Sequence, residues 1–209
     1  MEEGVQLEDE TGFVEELAKE VVFFIEEVRN NDSQEMRRAF CRSLFQFVDG
    51  VASDLKSTIV MYESPETIGD DFYLALSDKA KVIKNGEEKE VIKRRGFADN
   101  LDFSFEAYGC IAGLFISIKE NNMEWESFKK CIAIRNRVVH PKSVSDLEVS
   151  NSDLKKMLKM FLWLNNKLCE VHSEVGMYFL RMAETIANII DQQGSRAGCT
   201  PCTNPLDDK

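Results

Sequence analysis

Histidine is scarce in this chain, and the scarcity narrows the available chemistry before any pattern is read. Only two histidines occur in 209 residues, and neither belongs to a His/Asp/Glu cluster that would serve a metal, so no metal site is expected. No uninterrupted apolar run approaches the roughly 20 residues that span a bilayer. The opening residues, "MEEGVQLEDE", are acidic where a secretory signal would be basic and then apolar. A cytoplasmic protein without a membrane segment is expected. There is no GxxxxGK loop to make ATP hydrolysis worth considering, and no cofactor is implied. Positive charge is also short: 26 Lys and Arg against 37 Asp and Glu leave a formal net charge of −11, a field of the wrong sign for coating nucleic acid non-specifically.

What is present is ordinary globular material, 44% hydrophobic and 30% charged, which suits one domain over residues 1–193 followed by a polar tail, 194–209, expected to be disordered. Of the six cysteines, Cys41, Cys110, Cys131 and Cys169 lie in apolar helical patterns and are expected as reduced core thiols. Cys199 and Cys202 form a CxxC within the tail, with no second CxxC or histidine pair nearby. A disordered end accounts for them better than a metal or redox site does.

Helical periodicity runs through most of the chain. Val14, Leu17, Val21, Phe24 and Val28 recur at three- and four-residue steps, one face of a helix over 12–30. Asp32 and Glu35 resemble a helix start with a capping carboxylate, after which Phe40, Leu44, Phe47, Val51, Leu55 and Ile59 continue the stripe towards Pro65. The short turn between them predicts antiparallel neighbours. Residues 66–99 are less legible: "KNGEEKE" offers a turn between two helices or a hairpin at Asn85-Gly86. From Asn100, Phe105, Tyr108, Ile111 or Ala112, Phe115 and Ile118 predict a helix that ends at Asn121-Asn122. Leu154, Met157, Phe161, Leu164, Leu168, Val171, Val175, Tyr178 and Met182 then follow a strict three-four alternation, with Ile189 in register. That stripe predicts a long helix, either with part of it packed against another chain or broken near Gly176 inside one bundle. The fold class expected is all-α, an antiparallel helical bundle with a long C-terminal helical segment.

The stretch "IAIRNRVVHPK", 132–142, carries the chemistry. From Lys129 to Lys142 there are five cations and no acid, an island of positive charge in an acidic chain. On a helical wheel Trp125, Phe128, Ile132, Arg135 and Val139 form a seam with arginine at its centre. Burying an unpaired guanidinium costs several kcal/mol. Arg135 is therefore expected either to be paired, for instance with an acid such as Glu106, or to open on a cleft that uses its charge. Pro141 disfavours the α conformation at His140, so the imidazole can leave the helix, and Asn136 stands four residues before it, close enough for an amide to orient the ring.

"RNRVVH", Arg135 to His140, late in a helical chain and followed by a polar segment and another helix, resembles the motif of the HEPN domains (higher eukaryote and prokaryote nucleotide-binding), which are α-helical bundles. The resemblance covers mainly residues 100–180. It implies a metal-independent endoribonuclease active as a homodimer, with two motifs facing one another. Arg135 would bind the scissile phosphate, His140 would assist attack of the ribose 2′-hydroxyl or protonate the leaving oxygen, and Asn136 would orient one of them. Arg137, Lys142, Lys129 and Lys130 would hold RNA. Many such proteins act as toxins or in defence and stress systems, beside an antitoxin or a nucleotidyltransferase-like partner. The alternatives are a non-catalytic helical module binding a nucleotide, RNA or protein partner through the same residues, and a purely structural bundle.

Overall fold

A computed structural model describes residues 11–119 and 123–197. Helix α1, Thr11–Asn30, turns through Asn31–Ser33 into α2, Gln34–Tyr62, and packs back along it. The cap of α2 sits one residue later than the Asp32 expectation. Ser33 is the N-cap and its Oγ accepts from the Met36 amide at 3.3 Å, while Asp32 is drawn away to Arg37 Nε at 2.6 Å. Once started, α2 follows its pattern: Phe40, Leu44, Phe47, Val51, Leu55 and Ile59 are all buried. As the central helix it packs against α1 and against three later helices, α5 (Phe97–Cys110), α6 (Met123–Val139) and α7 (Asn151–Ala197).

Residues 66–99 resolve into two short helices and the hairpin. Helices α3, Pro65–Ile68, and α4, Asp70–Leu76, precede strands β1, Lys79–Lys84, and β2, Glu87–Ile92. Asn85 and Gly86 both have positive φ, 58° and 81°, the two-residue I′ turn that matches strand twist. Their pairing of Lys84 with Glu87 and Lys79 with Ile92 fixes the register. The sheet has only these two strands, and its base is tied down: Lys56, 11% exposed, donates to Asn100 Oδ1 at 3.0 Å and lies 3.5 Å from Asp78.

Helix α5, Phe97–Cys110, is shorter than its apolar stripe predicted. Gly113 takes φ +65° just past its end, and the amide of Leu114 folds back onto the Gly109 carbonyl at 3.0 Å. Ile116 then packs so closely on Gly109 that a Cβ there would lie 2.9 Å from it. Buried Asp102 fastens the return by accepting from the Ile118 amide and the Ser117 hydroxyl at 3.1 and 3.2 Å. Phe115, expected in the stripe, is 78% exposed in consequence. The Asn121-Asn122 stop lies outside the described residues.

Helix α6 spans Met123–Val139, a single 3-10 turn follows at Val144–Leu147, and α7 runs without a break from Asn151 to Ala197. Its 47 residues measure about 70 Å at the helical rise. The helix passes through Gly176 and beyond the boundary expected at residue 193; Cys199 and Cys202 lie outside the described residues. The core is rich in aromatic contacts: Phe128 meets Trp125, Trp163 and Phe97 with centroids 5.1, 6.0 and 6.4 Å apart, separations at which ring quadrupoles attract. Cys41 and Cys131 are buried in it, and burial pushes their thiols up to about 12 and about 11, which leaves them protonated and inert. Cys110 and Cys169 are exposed, contrary to the core placement expected for them.

Candidate functional site

The seam of α6 does not keep one heading. Trp125 and Phe128 are buried at its start, Ile134 and Val138 at its end, and on the wheel those two pairs differ by roughly a third of a turn. The buried face therefore rotates along the helix as it passes from one neighbour to another. Ile132, Arg135 and Val139, expected in the buried centre, become a half-buried flank instead. Arg135 lays its aliphatic stem along that flank, with its guanidinium carbon 5.9 Å from the centroid of the Phe97 ring, and carries its charge out to solvent in the manner of long cationic side chains.

Arg135 Nη1 donates to Asn136 Oδ1 at 3.0 Å. That hydrogen bond draws the guanidinium around the helix to the exposed side, where Asn136 and His140 lie at neighbouring angles. The amide of Asn136 thus orients the arginine rather than the imidazole; its link to His140 is through the main chain, from the His140 N–H to the Asn136 carbonyl at 2.9 Å. Helix α6 stops at Val139, and His140 stands exposed on the bend before Pro141, as the proline rule requires. Lys129, seven residues below Asn136, falls on the same exposed stripe, with small Ala133 between them. It pairs with Glu126 at 2.5 Å. Lys130 points to another side of the helix; Lys142 is exposed in the loop beyond Pro141, its main-chain N–H held by Asp146 at 2.8 Å.

Arg137 departs from its expected role. Its guanidinium donates to the carbonyls of Asp146 at 3.3 Å and Glu148, and to the carboxylate of Asp153 at 3.0 Å, which commits it to the segment between α6 and α7 rather than to a substrate. The same segment is gripped from the other side by α2. Arg37 and Arg38 donate to the carbonyls of Val149 and Leu147 at 2.7 and 3.3 Å, and the Val149 amide donates to Gln34 Oε1 at 2.8 Å. A reciprocal cap of Ser150 with Asp153 then starts α7: Asp153 N–H donates to Ser150 Oγ at 3.1 Å, and Ser150 N–H to Asp153 Oδ2 at 3.2 Å. The arginines 37 and 38 escaped the sequence reading. Their only signal was a pair of cations in the first turn of a helix, where a helix dipole disfavours positive charge.

Among the described residues no grouping of His, Cys, Asp and Glu could hold a metal ion, and no helix is long and apolar enough to cross a membrane. Compared with family models, curated proteins and solved structures, the chain matches none. The site is a half-buried arginine with an exposed amide and imidazole at the end of a helix whose exit loop is fixed by three other arginines.

Proposed function

We propose that the protein is a metal-independent endoribonuclease of the HEPN type, acting in the cytoplasm as a homodimer. The observation that carries this reading is the division of labour within "RNR". Arg137 is tied to its own chain, whereas Arg135, oriented by Asn136, offers its charge on the exposed side that also bears His140. In the reaction the ribose 2′-oxygen forms a bond to phosphorus and the bond from phosphorus to the 5′-oxygen breaks. One proton leaves the 2′-hydroxyl and one reaches the 5′-oxygen. His140 suits either transfer, and Arg135 suits the charge that builds on the non-bridging oxygens. Two facing copies would supply a base and an acid together. Lys129 and Lys142 would contact flanking phosphates.

The dimer finds its support in α7. Its stripe is consumed inside the bundle as far as Val175, which leaves the part beyond that point to pack against another chain. There Met177, Phe179, Leu180, Met182 and Ile186 are between 46% and 60% exposed, a helix apolar on several sides of the kind that another surface covers. An antitoxin or nucleotidyltransferase-like partner would be a further occupant of the assembly.

The test is cleavage of labelled single-stranded RNA in EDTA by the wild type, His140→Ala and Arg135→Ala, with product ends analysed. Products ending in 2′,3′-cyclic phosphate that vanish in both variants are expected. Intact RNA with the wild type would instead favour a non-catalytic module binding nucleotide, RNA or protein, and of these three the net charge of −11 favours a protein partner.

A further inference from the structure

The second histidine lies far from the first along the chain and belongs to a different environment. Between the C-terminal half of α2, the end of α5 and α7 is a half-open cavity of about 450 Å³, within the size range of small-molecule sites. Tyr62, Tyr108 and Phe179 give it aromatic walls, with Ile111 and Val175 as apolar backing. His172 is its central polar group. The imidazole packs edge-on against Tyr108, with centroids 5.1 Å apart at 70°, and its Nδ1 is 3.1 Å from the Tyr108 hydroxyl. Burial raises the Tyr108 phenol and lowers the His172 imidazolium, so a neutral phenol meets a neutral ring near pH 7. Nδ1 and the Tyr108 hydroxyl share one hydrogen bond, which engages that nitrogen and leaves Nε2 as the second polar atom of the ring.

Gly176 makes the hollow conspicuous. A glycine inside a continuous helix weakens it relative to alanine, and close packing is the usual reason to keep one. Here a Cβ would meet nothing within 4 Å, and the residue lines the cavity. Gly176 is an exposed residue, so a larger side chain there has room to cover the hollow. No Lys or Arg lines it, and Glu63 stands at its edge, so a phosphate or carboxylate finds no counter-charge.

We propose that this cavity is a binding site for an uncharged planar aromatic heterocycle, stacked among Tyr62, Tyr108 and Phe179 and hydrogen-bonded by His172. The site is separate from Arg135 and His140 and does not depend on the ribonuclease reading.

The two histidines make the test direct, because the imidazole Cε1 protons give two resonances, assigned by His172→Gln and His140→Ala. Indole and adenosine serve as probes, with adenosine 5′-monophosphate as the charged comparison. A saturable shift of the His172 resonance with indole or adenosine is expected, leaving the His140 resonance in place, and it should be lost in Gly176→Leu. That variant fills the hollow while strengthening the helix, so a retained circular dichroism spectrum and melting temperature separate blockage from misfolding. A His172 resonance unmoved by both probes overturns the proposal. So does a shift that survives in Gly176→Leu, and so does monophosphate binding as well as adenosine.

Discussion

Arg135 and Arg137 are two residues apart on one helix, carry the same charge, and do opposite things. Arg137 is surrounded by carbonyls of the 146–148 segment and by Asp153, so its charge completes hydrogen bonds that the loop cannot make for itself. Arg135 meets one side-chain amide and an aromatic ring. A basic run is therefore not one surface. The helix turns successive cations to different neighbours, and what each finds there decides whether it holds the fold or remains available for a ligand.

The contrast recurs more strongly along α7. Leu164 is fully buried, and Ile186 is 51% exposed. Leu164→Ala should cost about 3 kcal/mol, as expected for a buried leucine leaving a cavity, whereas Ile186→Ala should change urea stability by less than about 0.5 kcal/mol. Ile186→Asp carries the comparison to assembly: the proposed dimer should become a monomer in light scattering while the protomer's helicity is kept. A dimer that survives it would take the projecting half of α7 out of the interface.

The two arginines can be tested next. Arg137→Ala leaves several loop carbonyls and Asp153 without their donor and should destabilise the protein by about 2 kcal/mol in urea denaturation. Arg135→Ala should alter stability by less than about 0.5 kcal/mol, with its effect confined to RNA cleavage. Equal losses of stability in the two variants would erase the distinction on which the proposed site rests.

How far these differences were legible in the sequence depends on what fixes each feature. The buried stripe of α2 was legible because helical period is local, and the Asn85-Gly86 turn was legible for the same reason, but its residues suit a link between helices as well as one between strands, and only the strand pairing decides which. The end of α5 was not, because its apolar spacing continues through Phe115 and the chain is turned back by Asp102, Gly109 and Gly113 acting together. Arg135 was placed on the right half of α6 but given the wrong burial. A wheel assumes one partner for the whole helix, and α6 changes partners along its length. In the clasp, Arg37 and Arg38 reach a loop without periodicity from more than a hundred positions away, and Arg137 meets it from nearby; no local pattern encodes the meeting.

The smallest effect concerns the two histidines, both exposed residues, of which His140 ends a helix and His172 lays one side of its ring against Tyr108. Burial holds the folded imidazole of His172 below its usual value of 6.5, and the nearby Asp54 carboxylate only partly opposes this. Tyr62 and Glu63 stand near the ring from the same cavity. As pH falls through 6.5, the unfolded chain takes up a proton at this position before the folded one does, so stability must fall with pH from 6.5 downward until the folded ring is protonated too. Above 6.5 both states carry the neutral ring and the contribution is flat. The part due to His172 should be less than about 1 kcal/mol, because solvent reaches one side of the residue and screens the charge. Urea denaturation at pH 7.5 and 5.5 should therefore show a larger loss for the wild type than for His172→Gln. If His172→Gln loses as much stability on acidification as the wild type, the imidazole is not desolvated in the folded protein, and the neutral ring that gives the cavity its hydrogen-bonding edge goes with it.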